Sequence, residues 1–134
     1  MTAFPVVLRD DASAGFFDAA ARGELLVKRC AQCETVHGAE VRTCHGCGGD
    51  DLQALTARGS GTLVSWVVVH HPPVPALAEA VPYISGIVEL DEGPWVIARV
   101  VEVAEPVVGM PLQVGTVRPE GSEALVVFGT VIEP

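Results

Sequence analysis

Apolar and polar positions change rhythm partway along the chain. Residues 1–12 show no sustained periodicity and read as extended. From Ser13 the stretch "SAGFFDAAARGE" places Phe16, Phe17, Ala20 and Ala21 on one stripe at helical spacing. Ser13 suits the cap at the helix start and Gly23 the position just past its end. A helix of about three turns is marginal alone in water, so it must pack on the chain's own core or on a partner. A short strand, "ELLVKRC", follows, and after a cysteine-rich segment "GGDDLQALTARGSG" reads as turn, strand and turn. Beyond the Gly59-Ser60-Gly61 step the pattern turns to β. "GTLVSWVVVH" is β-branched, "YISGIVEL" and "WVIARVVEV" form a hairpin around "DEGP", and "PLQVGTV" and "EALVVFGTVI" add two strands. The prolines of "HPPVPALAEAVP" forbid a regular strand or a long helix there.

The predicted fold is mainly β: a short N-terminal helix, a four-cysteine zinc ribbon and a five-stranded OB-fold barrel, with a five-stranded sandwich fragment the arrangement that would look similar from sequence. The expected divisions are 1–27 for the extension and helix, 28–58 for the ribbon and 59–134 for the barrel.

The cysteines sharpen the middle of this picture. Cys30 and Cys33 form one Cys-x-x-Cys pair, Cys44 and Cys47 a second, with ten residues between them. One such pair is compatible with a redox motif. Two at this separation, with no βαβ unit around them, point to a tetrahedral thiolate set for zinc. Gly46, Gly48 and Gly49 ease the second turn, whereas Glu34 stands in the first where glycine is easiest. Four thiolates leave no open position for water or substrate, so the expected zinc is structural. His37 and His45 lie near enough in sequence to be alternative ligands.

Composition then narrows the function. The net charge is −9. Residues 62–134 carry nine acidic groups against Arg99 and Arg118, a balance that repels a nucleic-acid backbone. No apolar run approaches the ~20 residues of a membrane helix, and the first residues lack the features of a signal peptide. The expectation is a cytoplasmic protein, in a compartment that keeps thiols reduced. No nucleophile elbow, phosphate loop or dinucleotide fingerprint is present. His70 and His71, beside Pro72, are the one place where titrating groups gather at a strand end. The aromatics of the β half, Trp66, Tyr83, Trp95 and Phe128, are few for a base-stacking platform.

The order "FFDAAARGELLVKRC", four-cysteine ribbon, "GSGTLVSWVVVHHPPVP", "PYISGIVELDEGPWV" and "VGMPLQV" resembles the DUF35 family, zinc-ribbon/OB-fold proteins associated with acyl-CoA metabolism. The resemblance covers residues 13–117. It implies a non-catalytic companion of a thiolase-fold aldolase or thiolase acting on acyl-CoA thioesters. Such an assembly would pair two copies of each chain and support retro-aldol cleavage of a steroid or lipid side chain. A CoA thioester is then a ligand of the complex, with His70, His71, Pro72, Trp66, Lys28, Arg29, Arg42 and Arg58 as candidates to lie near it. Phe16 and Phe17 are candidates to dock the partner. The alternatives are a partner or detached domain of a hot-dog-fold enoyl-CoA hydratase, and a nucleic-acid-binding OB-fold.

Overall fold

The computed structural model describes residues 4–130. The predicted helix is α1, Ala14–Ala21. Its end is closed by Gly23, which takes φ +79° and donates to Ala20 O while Glu24 N donates to Ala19 O. This pair of bonds is the Schellman arrangement, which suits a residue without Cβ. Its start differs from expectation. Ser13 occupies the cap position, but its hydroxyl engages Asp10 rather than a helix N–H. The buried face also differs: Ala19 and Ala20 are buried, while Ala21 is exposed. Phe16 packs on the core and meets Phe17 edge-on, with ring centres 5.6 Å apart.

Three antiparallel strands form the ribbon sheet: β1, Leu25–Cys30, lies between β2, Val36–His37, and β3, Leu52–Ala57. The remaining strands are β4, Ser60–Val69; β5, Tyr83–Leu90; β6, Trp95–Val100; β7, Pro111–Val117; and β8, Leu125–Thr130. They close a barrel in the order β4-β5-β6-β8-β7, with β7 returning to β4. The register of β4 shifts between Leu63 and Ser65, a bulge that lets this long strand bend from one neighbour to the other. The proline-rich stretch after β4 holds only a single 3-10 turn at Pro75–Leu77.

Ribbon and barrel share one core. Leu25, Val27 and Ala57 of the ribbon sheet belong to the same buried cluster as Leu63, Val88, Leu90, Val100, Leu112 and Phe128 of the barrel. The N-terminal segment, which shows no sustained periodicity in sequence, is tied across this unit. Arg9 donates to both carboxylate oxygens of Glu123, from Nε at 3.1 Å and Nη2 at 2.9 Å, and from Nη1 to Asp18 at 2.8 Å. Val7 N donates to Ser122 Oγ, and Glu123 N donates to Val7 O.

Candidate metal centre and adjoining groove

The two cysteine turns have the same backbone. Glu34 N donates to Cys30 O, and Gly48 N donates to Cys44 O, each at 2.9 Å. Cys30 N reaches Thr35 O and Cys44 N reaches Gly49 O, so each turn closes in the same two places. The equivalent positions Glu34 and Gly48 both take positive φ, +67° and +77°. Glutamate therefore sits in a left-handed conformation that glycine adopts without strain.

These turns bring the four sulfurs within 4.8 Å of one another. Cys30 Sγ lies 3.6 Å from Cys47 Sγ, and Cys33 Sγ lies 3.4 Å from Cys44 Sγ. Such separations exceed a disulfide bond. They approach the spacing of about 3.8 Å that a tetrahedral ion with zinc–sulfur bonds of about 2.3 Å would set. The electrostatics also call for a cation. The Thr35 hydroxyl and N–H hold the Cys33 thiol down to about 6. At Cys47 the Gly49 N–H acts downward, but the sulfurs of Cys30, Cys33 and Cys44, with burial, outweigh it and push the thiol up to about 12. Sulfurs this close ionise together only when a cation shares their charge. Cys30, Cys33, Cys44 and Cys47 thus fit a structural Zn²⁺ with no fifth position offered. His37 is not a ligand of this set. It is buried, and its Nε2 lies 3.3 Å from Cys44 Sγ, where an N–H would stabilise the thiolate. His45 stacks edge-on against the His37 ring at 5.2 Å.

Beside the ribbon lies an open groove of about 730 Å³ between α1, β1, the 39–42 segment and the barrel strands β6 and β8. It gathers four of the residues singled out from sequence: Phe16, Phe17, Lys28 and Arg42. Lys28 Nζ donates to Val41 O at 3.0 Å, which ties the 39–42 segment to β1. The other candidates are dispersed. Arg29 is exposed on β1, and the Arg58 N–H donates to Glu92 Oε2 where β3 leads into β4. Trp66 lies opposite Gly86 and packs against the core. His70, His71 and Pro72 are exposed beyond the far end of β4, about 30 Å along the strand from Ser60.

Sequence reasoning missed the groove's floor, where Trp95, Val96, Ile97 and Ala98 run along β6. It also missed the Arg9 clasp. Among the described residues no helix is long and apolar enough to cross a membrane.

Comparison with known proteins decides the family. Residues 17–53 match the rubredoxin-like zinc ribbon domain of ChsH2, and residues 56–117 match the C-terminal OB-fold domain of ChsH2. A solved structure called "Ltp2-ChsH2(DUF35) aldolase" contains a chain 33% identical to this one. The two superpose with a TM-score of 0.77 over 96% of this chain and 100% of that one. The chain belongs to the DUF35 family. A "DUF35 domain-containing scaffold protein" of Pyrococcus furiosus is 27% identical over 95 residues, 68% of this chain and 69% of that protein. A "probable enoyl-CoA hydratase alpha subunit" of Thermomonospora curvata is 34% identical over 126 residues. That match takes in 92% of this DUF35 chain but only 38% of the longer relative.

Proposed function

We propose that the chain is a non-catalytic companion subunit of a thiolase-fold aldolase or thiolase acting on acyl-CoA thioesters. In this reading the complex, assembled from two copies of each chain, carries out retro-aldol C–C cleavage in the breakdown of a steroid or other lipid side chain. The observation that carries the reading is the end-to-end similarity to the DUF35 chain of an aldolase structure. The chemistry of this chain's own residues agrees. Its four cysteines are drawn together in the ribbon, where they fit a metal ion. His70 and His71 stand on an exposed loop. The acid–base groups that cleave the bond then come from the partner, and this chain contributes positioning and shelter, effects worth several kcal/mol in a bound reaction. Lys28 and Arg42 would lie near the thioester's path. His70 and His71 would do so only if their loop folds onto the partner. Reduced thiolates suit a cytoplasmic setting.

The hydratase reading has one observation in its favour, the longer Thermomonospora curvata relative named for that activity. Purifying the tagged chain from its native host and identifying bound chains by mass separates the two. Recovery of a thiolase-fold subunit supports the aldolase reading; recovery of a hot-dog hydratase alone replaces it with the second. In the recovered complex, His70→Ala or His71→Ala lowers turnover only if that loop reaches the thioester.

A further inference from the structure

Strand edges, not strand faces, border the groove beside α1. Four consecutive residues of β1, Leu25 to Lys28, and four of β6, Trp95 to Ala98, line it. Successive side chains of a strand point to opposite faces, so a groove that meets four in a row runs along the strand's edge. The pairing agrees. β2 covers β1 only at Lys28 and Arg29, and β8 covers β6 only at Arg99 and Val100. The first half of β6 is therefore paired on one side alone, with β5.

The direction of its main-chain groups follows from the hairpin. Leu90 N donates to Pro94 O, which makes Leu90 and Pro94 a hydrogen-bonded pair. Alternation along the antiparallel ladder then turns the main-chain groups of Val96 and Ala98 toward β5, and those of Trp95 and Ile97 away from it. Among the described residues β5 is the strand paired with β6 at Ile97, and β8 joins only at Arg99 and Val100, so the outward N–H of Ile97 has no ladder partner. Proteins usually blunt such an edge with charge, proline or a covering element. Here the edge carries Trp95 and Ile97, 57% and 78% exposed, and the facing wall carries Phe16 and Phe17. The charged residues at the groove are balanced, Lys28 and Arg42 against Asp10 and Glu40. That balance suits a neutral apolar chain rather than a strongly charged one.

We propose that this groove receives an extended, uncharged, apolar segment of the partner enzyme subunit, which adds a strand to the free edge of β6. The inference rests on the companion-subunit reading. A segment of about four residues, roughly 13 Å long, matches the unpaired part of β6. Its main chain bonds Trp95 and Ile97, and alternate side chains enter the apolar space between α1 and the barrel.

The test uses the full chain and its thiolase-fold subunit. Amide exchange at Trp95 and Ile97 is fast in the free chain and slows by on the order of a hundredfold in the complex. Ile97→Pro removes an N–H that β5 does not use, and Ile97→Ala, which keeps that N–H, controls for the lost side chain. The proline variant keeps its zinc and its melting transition yet binds the partner at least about tenfold more weakly. A complex that forms with exchange at Trp95 and Ile97 unchanged, or with Ile97→Pro binding as well as the parent, overturns the strand addition and leaves the companion reading standing. Protection of these amides by a CoA thioester alone, without the partner, overturns it in favour of a small-molecule site. Absence of any complex with the unaltered chain overturns both.

Discussion

Replacing Phe128 by alanine tests whether ribbon and barrel are one cooperative unit. The ring is fully buried, on β8, in the cluster that joins Leu25, Val27 and Ala57 of the ribbon sheet to the barrel interior. Truncating a buried phenylalanine to alanine costs about 3–5 kcal/mol, the sum of lost transfer energy and the cavity left behind. Total stability in single domains is about 5–15 kcal/mol, so this is a large share. For a chain of 134 residues each kcal/mol lowers the melting temperature by roughly 4 °C, giving a fall of about 12–20 °C. Urea unfolding is followed by the fluorescence of Trp66 and Trp95 for the barrel and by zinc release to a chromophoric chelator for the ribbon. Both probes should move together in the parent and in Phe128→Ala, and Phe128→Leu should fall between them. A loss below about 1.5 kcal/mol would refute the packing argument. Probes that separate into two transitions would refute the shared core.

Cys44→Ser should bind less than stoichiometric zinc by elemental analysis and lose ordered ribbon signals in NMR; zinc retained at full stoichiometry contradicts the four-thiolate set. His37→Ala should keep stoichiometric zinc but weaken its affinity by about 10–100-fold, because Cys44 Sγ loses the ring nitrogen that lies 3.3 Å away; unchanged affinity in a chelator competition removes that role. The Arg9 side chain holds the Glu123 carboxyl below its ordinary value of 4.5. The clasp's contribution to stability is therefore complete above that value and is lost as pH falls through the lowered one. NMR titration of Glu123 should show the depressed midpoint, and Arg9→Ala should return it toward the ordinary value; equal midpoints in both proteins would sink the clasp.

What the sequence disclosed followed from local rules. The two cysteine turns, the hairpin around Asp91 and Gly93 and the helix end at Gly23 depend on residues within a few positions of one another, so spacing and turn chemistry expose them. Even the awkwardness of Glu34 was legible, since that turn position requires positive φ. The family resemblance supplied the assembly order of these parts. Long-range features had no such signal. The Arg9 clasp joins residues more than a hundred positions apart, and no local pattern marks either end. The burial of Ala19 in place of Ala21 depends on how α1 sits on β1 and β8, which helical period alone leaves open. The free edge of β6 arises because β8 meets it for only two residues, a property of barrel closure rather than of the β6 sequence. Conversely, the cations Lys28, Arg29, Arg42 and Arg58 look clustered along the chain, yet only Lys28 and Arg42 meet at the groove.

The most direct test of the account is to reconstitute the chain with the thiolase-fold subunit of its host. The mass of the native complex and the cleavage of a β-hydroxyacyl-CoA are then measured with and without the chain. The account predicts an assembly of two plus two chains in which cleavage depends on this chain although the partner carries the catalytic groups. A partner that stays separate and cleaves equally well alone, or an assembly that only hydrates an enoyl-CoA, would contradict it.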